Sequence, residues 1–104
     1  MHVQIINYQL QGLSEAEHAN ICKELAPQFA AIPGLTSKIW LANRETGVFG
    51  GVYLWQDRKA MEEFAKSELC NAVLTHPNLT GLTSTDFAVQ EAPTAVTRGL
   101  LEPA

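Results

Sequence analysis

The sequence predicts a single α+β domain in the order β-α-β-β-α-β. Its 104 residues with 46% hydrophobic content supply one core and not two. Short runs rich in strand formers alternate with longer stretches whose apolar residues recur at helical spacing. Turn and cap residues separate them in an order that leaves little ambiguity about element type.

Val3 to Leu10 is a strand ended by Gln11-Gly12. Ser14 opens a helix, and Glu17 three residues on completes a capping box, each side chain taking an orphan N–H near the other. Ala19, Cys22, Leu25, Ala26 and Phe29 form the expected buried stripe, which places His18 outside it and exposed. Pro27 is expected to kink or interrupt the last turns, because proline removes a donor and crowds the preceding turn. Pro33-Gly34 ends the element. Leu35–Ala42 and Val48–Gln56 are strands joined by a hairpin loop whose Gly47 is available for positive φ. Asp57 caps a second helix with an apolar stripe from Ala60 to Val73, and His76-Pro77-Asn78 breaks it. Thr83–Val89 is the last strand, and Pro93 begins a tail. The domain is expected to cover 1–93, with 94–104 packing on a partner subunit through Val96, Leu100 and Leu101.

This order is the ferredoxin-like split βαβ arrangement, with the first and third strands central and both helices on one face of an antiparallel sheet. The other face then lies open. On the third strand, aliphatic Val52 and Leu54 suit a helix-packed core, which turns Gly51, Tyr53 and Trp55 outward. On the second, Ile39 and Leu41 suit the core, leaving Lys38, Trp40 and Ala42 outside. The first strand can turn either Asn7 or Tyr8 to that face, and the fourth either Phe87 or Asp86. Two tryptophans and a tyrosine on a solvated sheet need cover, so a two-fold homodimer with facing sheets is expected. The aromatics then either glue the dimer or line a cavity between the two sheets. A chain this short also argues for a shared pocket, since it encloses little space alone.

Composition excludes several classes. A net charge of −4 without a basic run argues against nucleic-acid or anionic-membrane binding. No apolar stretch reaches the ~20 residues of a membrane span. Met1-His2-Val3-Gln4 lacks the marks of a signal peptide, and Cys22 and Cys70 read as free thiols, so a cytoplasmic setting is expected. Neither cysteine has a CxxC partner, and no His and carboxylate set has metal-ligand spacing. Gly50-Gly51 lies inside a strand and marks a bulge or close backbone approach.

Pro33-Gly34-Leu35, Lys38-Ile39-Trp40, Gly50-Gly51-Val52-Tyr53-Leu54-Trp55 and Phe87-Ala88-Val89-Gln90-Glu91-Ala92-Pro93 together resemble the YdhR family of small proteins named as monooxygenases. The resemblance implies a dimeric α+β barrel related to the antibiotic-biosynthesis monooxygenases. Members of that wider group oxidise phenols or anthrones with molecular oxygen and no metal, flavin or haem, so no cofactor is expected. Such chemistry needs a flat apolar site, groups that bind or move a proton at the substrate oxygens, and exclusion of water. Tyr53, Trp40 and Lys38 are the candidate catalytic residues: a proton carrier, a flat wall with an indole N–H, and a cation beside a phenolate. Trp55, Asn7, Tyr8, His76 and Phe87 are candidates for substrate binding. Each also has a structural reading, Lys38 as a rim charge, Tyr53 as an interface hydrogen bond, Asn7 as an edge residue, His76 as a turn residue.

Phe64-Ala65-Lys66-Ser67-Glu68-Leu69 also resembles haem-degrading proteins of the same fold. Asn7 matches that pattern, but Phe64 stands in place of a tryptophan and Leu74 in place of an axial histidine, which argues against haem degradation. The expected function is cofactor-independent oxidation of a small aromatic molecule. A non-catalytic small-molecule binding protein, or an isomerase or cyclase, are the alternatives on the same fold.

Overall fold

The computed structural model describes residues 1–99. The strands are β1 (His2–Leu10), β2 (Leu35–Asn43), β3 (Val48–Trp55) and β4 (Leu79–Ala88). They form one antiparallel sheet in the order β2-β3-β1-β4, with the first and third strands central as the sequence predicts. Helix α1 (Glu15–Ala30) joins β1 to β2. Its N-terminus carries the expected capping box, in which Ser14 N–H donates to Glu17 Oε1 and Glu17 N–H to Ser14 Oγ, both at 3.1 Å.

Three element expectations need correction. Helix α1 runs through Pro27 to Ala30 without interruption. The single second helix is two, α2 (Arg58–Ala65) and α3 (Glu68–Leu74). Ser67 divides them: its hydroxyl donates to the Phe64 carbonyl at 2.6 Å, closing α2, and accepts from Cys70 N–H at 3.1 Å, opening α3. After β4, a short helix α4 (Glu91–Val96) stands where a tail was expected. Val96 on it is exposed, while Leu100 and Leu101 lie outside the described residues. No described helix is long and apolar enough to cross a membrane. Both cysteines are free thiols.

The larger correction concerns the two faces of the sheet. Tyr53 (3% exposed) and Trp55 (0%) point towards the helices, where they join Phe29 and Phe64 in the core. Tyr53 and Trp55 stack in parallel at 5.9 Å, and Phe64 packs on Trp55 at 5.3 Å. The buried indole keeps its hydrogen bond, because Trp55 Nε1 donates to Gln4 Oε1 at 3.0 Å and Gln4 Nε2 donates on to Ser84 Oγ. Strand alternation then carries Gln4, Ile6 and Tyr8 to the helix side with them. Ile39, Val52 and Phe87 go to the open side, Ile39 at 58% and Phe87 at 56% exposure. Of the aliphatic residues assigned to the core, Ile39 is therefore exposed, and Leu41, Val52 and Leu54 are half-buried on the open side.

Gly50 and Gly51 allow close approach, as their sequence context indicates. A Cβ at Gly50 would collide with the backbone carbonyl of Ile6. One at Gly51 would lie 2.8 Å from Lys38 Cε and 3.3 Å from Tyr53 Cε1, so glycine there makes the space in which the lysine lies.

Candidate active site

A cavity of about 310 Å³ lies between the sheet and helices α1 and α3 of one chain. It lies on the helix side of the sheet within one chain, whereas a pocket between two sheets would need a second copy. One chain of this length does enclose a cavity, because the aromatic side chains of β2 and β3 line a gap under the helices.

Lys38 and Trp40 reach the cavity from β2, and Tyr53 from β3, across the pairs Lys38–Tyr53 and Trp40–Gly51. Lys38 Nζ lies 3.4 Å from the centroids of both Phe29 and Trp40 and 4.5 Å from that of Tyr53. No carboxylate lines the cavity among the described residues. Burial pulls the Lys38 pKa down to about 7, since a poorly hydrated ammonium has no anion nearby to hold its charge. The ring faces work the other way, stabilising the cation by about 0.5–2 kcal/mol. Amine and ammonium are consequently both available at neutral pH. Burial raises the Tyr53 hydroxyl above the usual phenol range, and the Tyr8, Cys70 and Cys22 groups add to the shift. Tyr53 is thus a neutral O–H donor. No protein partner takes its hydrogen bond among the described residues, and no buried side-chain polar atom is left unpaired, so its hydroxyl reaches the cavity space.

The structure adds a residue that sequence reasoning placed on the surface. His18 is 8% exposed and lines the cavity, its ring edge-on to Phe49 at 5.0 Å. Tyr8 Oη and His18 Nε2 are 2.7 Å apart, and Cys22 Sγ is 3.4 Å from the same nitrogen. Burial pushes the Tyr8 pKa up to about 12, so Tyr8 is a protonated phenol at neutral pH. His18 is pulled down by burial and by the Lys38 charge, which favours the neutral ring, its Nε2 accepting a hydrogen bond from the Tyr8 hydroxyl. The signal was present in the sequence: His18, Cys22, Leu25 and Phe29 share one helical stripe, and the expected stripe began one residue late at Ala19.

Other candidates divide. Tyr8 and His76 line the cavity. Trp55 is sealed in the core, and Asn7 and Phe87 belong to the open side of the sheet, so none of these three reaches the cavity. Of the positions matched to haem-degrading proteins, Asn7, Phe64 and Leu74 all lie off the cavity, Leu74 being 53% exposed.

The apolar cavity thus brings together a lysine whose pKa burial lowers to about 7, a phenol donor and a phenol–imidazole pair, groups able to donate and accept protons. The family described as "Putative mono-oxygenase ydhR" matches residues 3–100. The chain belongs to that family. Among solved structures, the chain is similar to a Deinococcus radiodurans protein described as a "putative antibiotic biosynthesis monooxygenase". The TM-score is 0.72 at 18% identity, covering 88% of this chain and 95% of that one. It is also similar to SnoaB, a cofactor-independent oxygenase from Streptomyces nogalater, with a TM-score of 0.67, 19% identity and coverage of 88% and 95%. MhuD, a heme-degrader from Mycobacterium tuberculosis, aligns with a TM-score of 0.69 at 19% identity, covering 86% and 96%. At these identities the structural likeness establishes the ferredoxin-like fold shared by antibiotic-biosynthesis-type monooxygenases. Among curated proteins none matches the chain.

Proposed function

We propose that this member of the ydhR family oxidises a small phenol, anthrone or hydroquinone-like molecule with molecular oxygen in the cavity between the helices and the sheet. The observation that carries the reading is Lys38, an amine with a pKa near 7 among aromatic rings and without a carboxylate partner. Membership of the family and likeness to a cofactor-independent oxygenase support it.

For an anthrone, the neutral Lys38 amine removes a proton from the ring methylene, and the ammonium so formed sits beside the resulting anion. Tyr53 O–H donates to the substrate oxygen on which the anionic charge resides. Trp40 and Phe29 supply flat walls that hold the ring system. The carbanion gives one electron to oxygen, and recombination at carbon forms a peroxide anion. Lys38 returns its proton, and the hydroperoxide loses water to leave a carbonyl. One methylene and one oxygen molecule become one carbonyl and one water, so no external reductant is consumed.

The assembly belongs to the same reading. Ile5, Ile39, Leu41, Val52, Leu54 and Phe87 make the open sheet side apolar, and a second copy facing it would cover them. The chain is proposed to act as a homodimer carrying one cavity per subunit, with Trp40, Tyr53 and Trp55 on the helix side of each sheet and the mostly aliphatic open sides facing each other.

Oxygen consumption against a panel of anthrones, hydroquinones and flavonoid-like phenols tests the activity. Protein-dependent uptake with a quinone or ketone product supports it. Saturable binding without oxygen uptake across the panel would make the cavity a binding site and not an oxygenase.

A further inference from the structure

An amine adds to a carbonyl when it is unprotonated, weakly hydrated, free of an ion-pair partner and beside space for the incoming molecule. Lys38 meets the last three conditions by geometry. Its Nζ rests on the Phe29 and Trp40 rings and makes no ion pair among the described residues. The adjoining cavity of about 310 Å³ has room for a small ligand, and Gly51, lacking a Cβ, leaves the space that the lysine stem occupies.

We propose that Lys38 forms a covalent imine with small hydrophobic carbonyl compounds that enter the cavity, above all aldehydes and 1,3-diketones. Nζ forms a bond to the carbonyl carbon as the C=O π bond breaks. The carbinolamine oxygen takes a proton and leaves as water, and loss of the second nitrogen proton gives the C=N bond. One amine and one carbonyl become one imine and one water, without change of oxidation state. A 1,3-diketone carries the product on to a conjugated enaminone by tautomerisation.

The groups facing Lys38 fit this step. Tyr8 from β1 and Tyr53 from β3 are phenols held protonated by burial, and either supplies a proton donor for the departing oxygen. His18 and Cys22 from α1 both couple to the lysine charge, and His76 closes the cavity beyond α3. None of these is an anion at neutral pH that would hold the ammonium. The amine form is therefore already substantial near pH 7, where an ordinary lysine is more than ~99.9% protonated. This activity shares the Lys38 amine with the oxygenase reading but requires no oxygen, so an anaerobic test separates the two.

The test is anaerobic incubation with 2,4-pentanedione at pH 7, followed by near-ultraviolet absorption and peptide mapping by mass spectrometry. The expected product is one diketone less one water on Lys38, formed about tenfold or more faster than on exposed Lys23, Lys59 and Lys66. The Met1 amine, which lies 3.6 Å from Glu91, is the other group that reacts near neutrality, so mapping and not absorption alone decides. Modification of Lys38 levels off above pH 8, whereas that of the surface lysines keeps rising. Lys38→Met abolishes the enaminone at this site, and the wild-type map gives the answer even if that variant folds poorly. Absence of an adduct on Lys38, or labelling no faster than on the exposed lysines, overturns the proposal.

Discussion

Lys38 exchanges water for ring faces and an apolar cavity, and this imbalance has a measurable sign. Between about pH 7 and the ordinary lysine range, the unfolded chain holds a proton on Lys38 that the folded chain has released. The lysine therefore lowers stability most at and below pH 7, and its penalty fades as pH rises. Lys38→Met is predicted to raise the melting temperature at pH 6 by about 4–8 °C, the equivalent of about 1 kcal/mol for a domain of this size. That gain shrinks by pH 10, as thermal scans at the two pH values will show; a variant less stable than wild type at pH 6 contradicts the assignment. Gly51→Ala acts on the same site by volume, since its methyl group reaches to 2.8 Å from Lys38 Cε and displaces the lysine from the rings. Activity against whichever panel substrate responds is expected to fall about tenfold or more, through misplacement of the amine, with far-ultraviolet circular dichroism unchanged. Lys38, Trp40 and Tyr53 were legible as a group from strand alternation. Their direction was not, because hydropathy rates aliphatic residues above tyrosine and tryptophan for a core. The partners that reverse this ranking, Gln4 for the Trp55 indole and Phe29 and Phe64 for the rings, come from distant strands and helices.

At the scale of elements, caps and turns were readable wherever side chain and backbone lie within a few residues. The Ser14–Glu17 box and the Asp57 cap, which accepts from Ala60 N–H at 2.8 Å, both follow from local spacing. Ser67 was hidden because an unbroken apolar stripe runs across it, and periodicity sees the stripe and not the cap. Its hydroxyl holds the end of α2 and the start of α3, and α3 brings Leu69, Ala72 and Val73 to the cavity. Ser67→Ala is predicted to cost about 1 kcal/mol, read as a lower denaturation midpoint with an unchanged denaturant slope. A change of less than a few tenths of a kcal/mol would show that packing alone orients α3. The face assignment of β2 and β3 belongs to this scale as well. Alternation specifies which residues share a side, and the identity of the covered side depends on what the helices present to it.

For the whole molecule, the open sheet carries the proposed assembly and the cavity the proposed chemistry. The two lie on opposite sides of the same sheet. A second copy covering Ile39, Val52 and Phe87 gives a sedimentation mass about twice that of the 11.4 kDa chain, and Val52→Lys shifts this towards the monomer by placing a charge in the interface. A wild-type monomer at micromolar concentration contradicts the proposed dimer without touching the cavity. The oxygenase reading is tested most directly by the initial rate of oxygen uptake with an anthrone, for wild type and Lys38→Met, across pH 5 to 9. The wild-type rate is predicted to rise with pH through about 7, as Lys38 loses its proton, and to fall about 10²-fold or more in the variant. A variant with the same rate and pH profile as wild type would remove Lys38 from the reaction and contradict the reading.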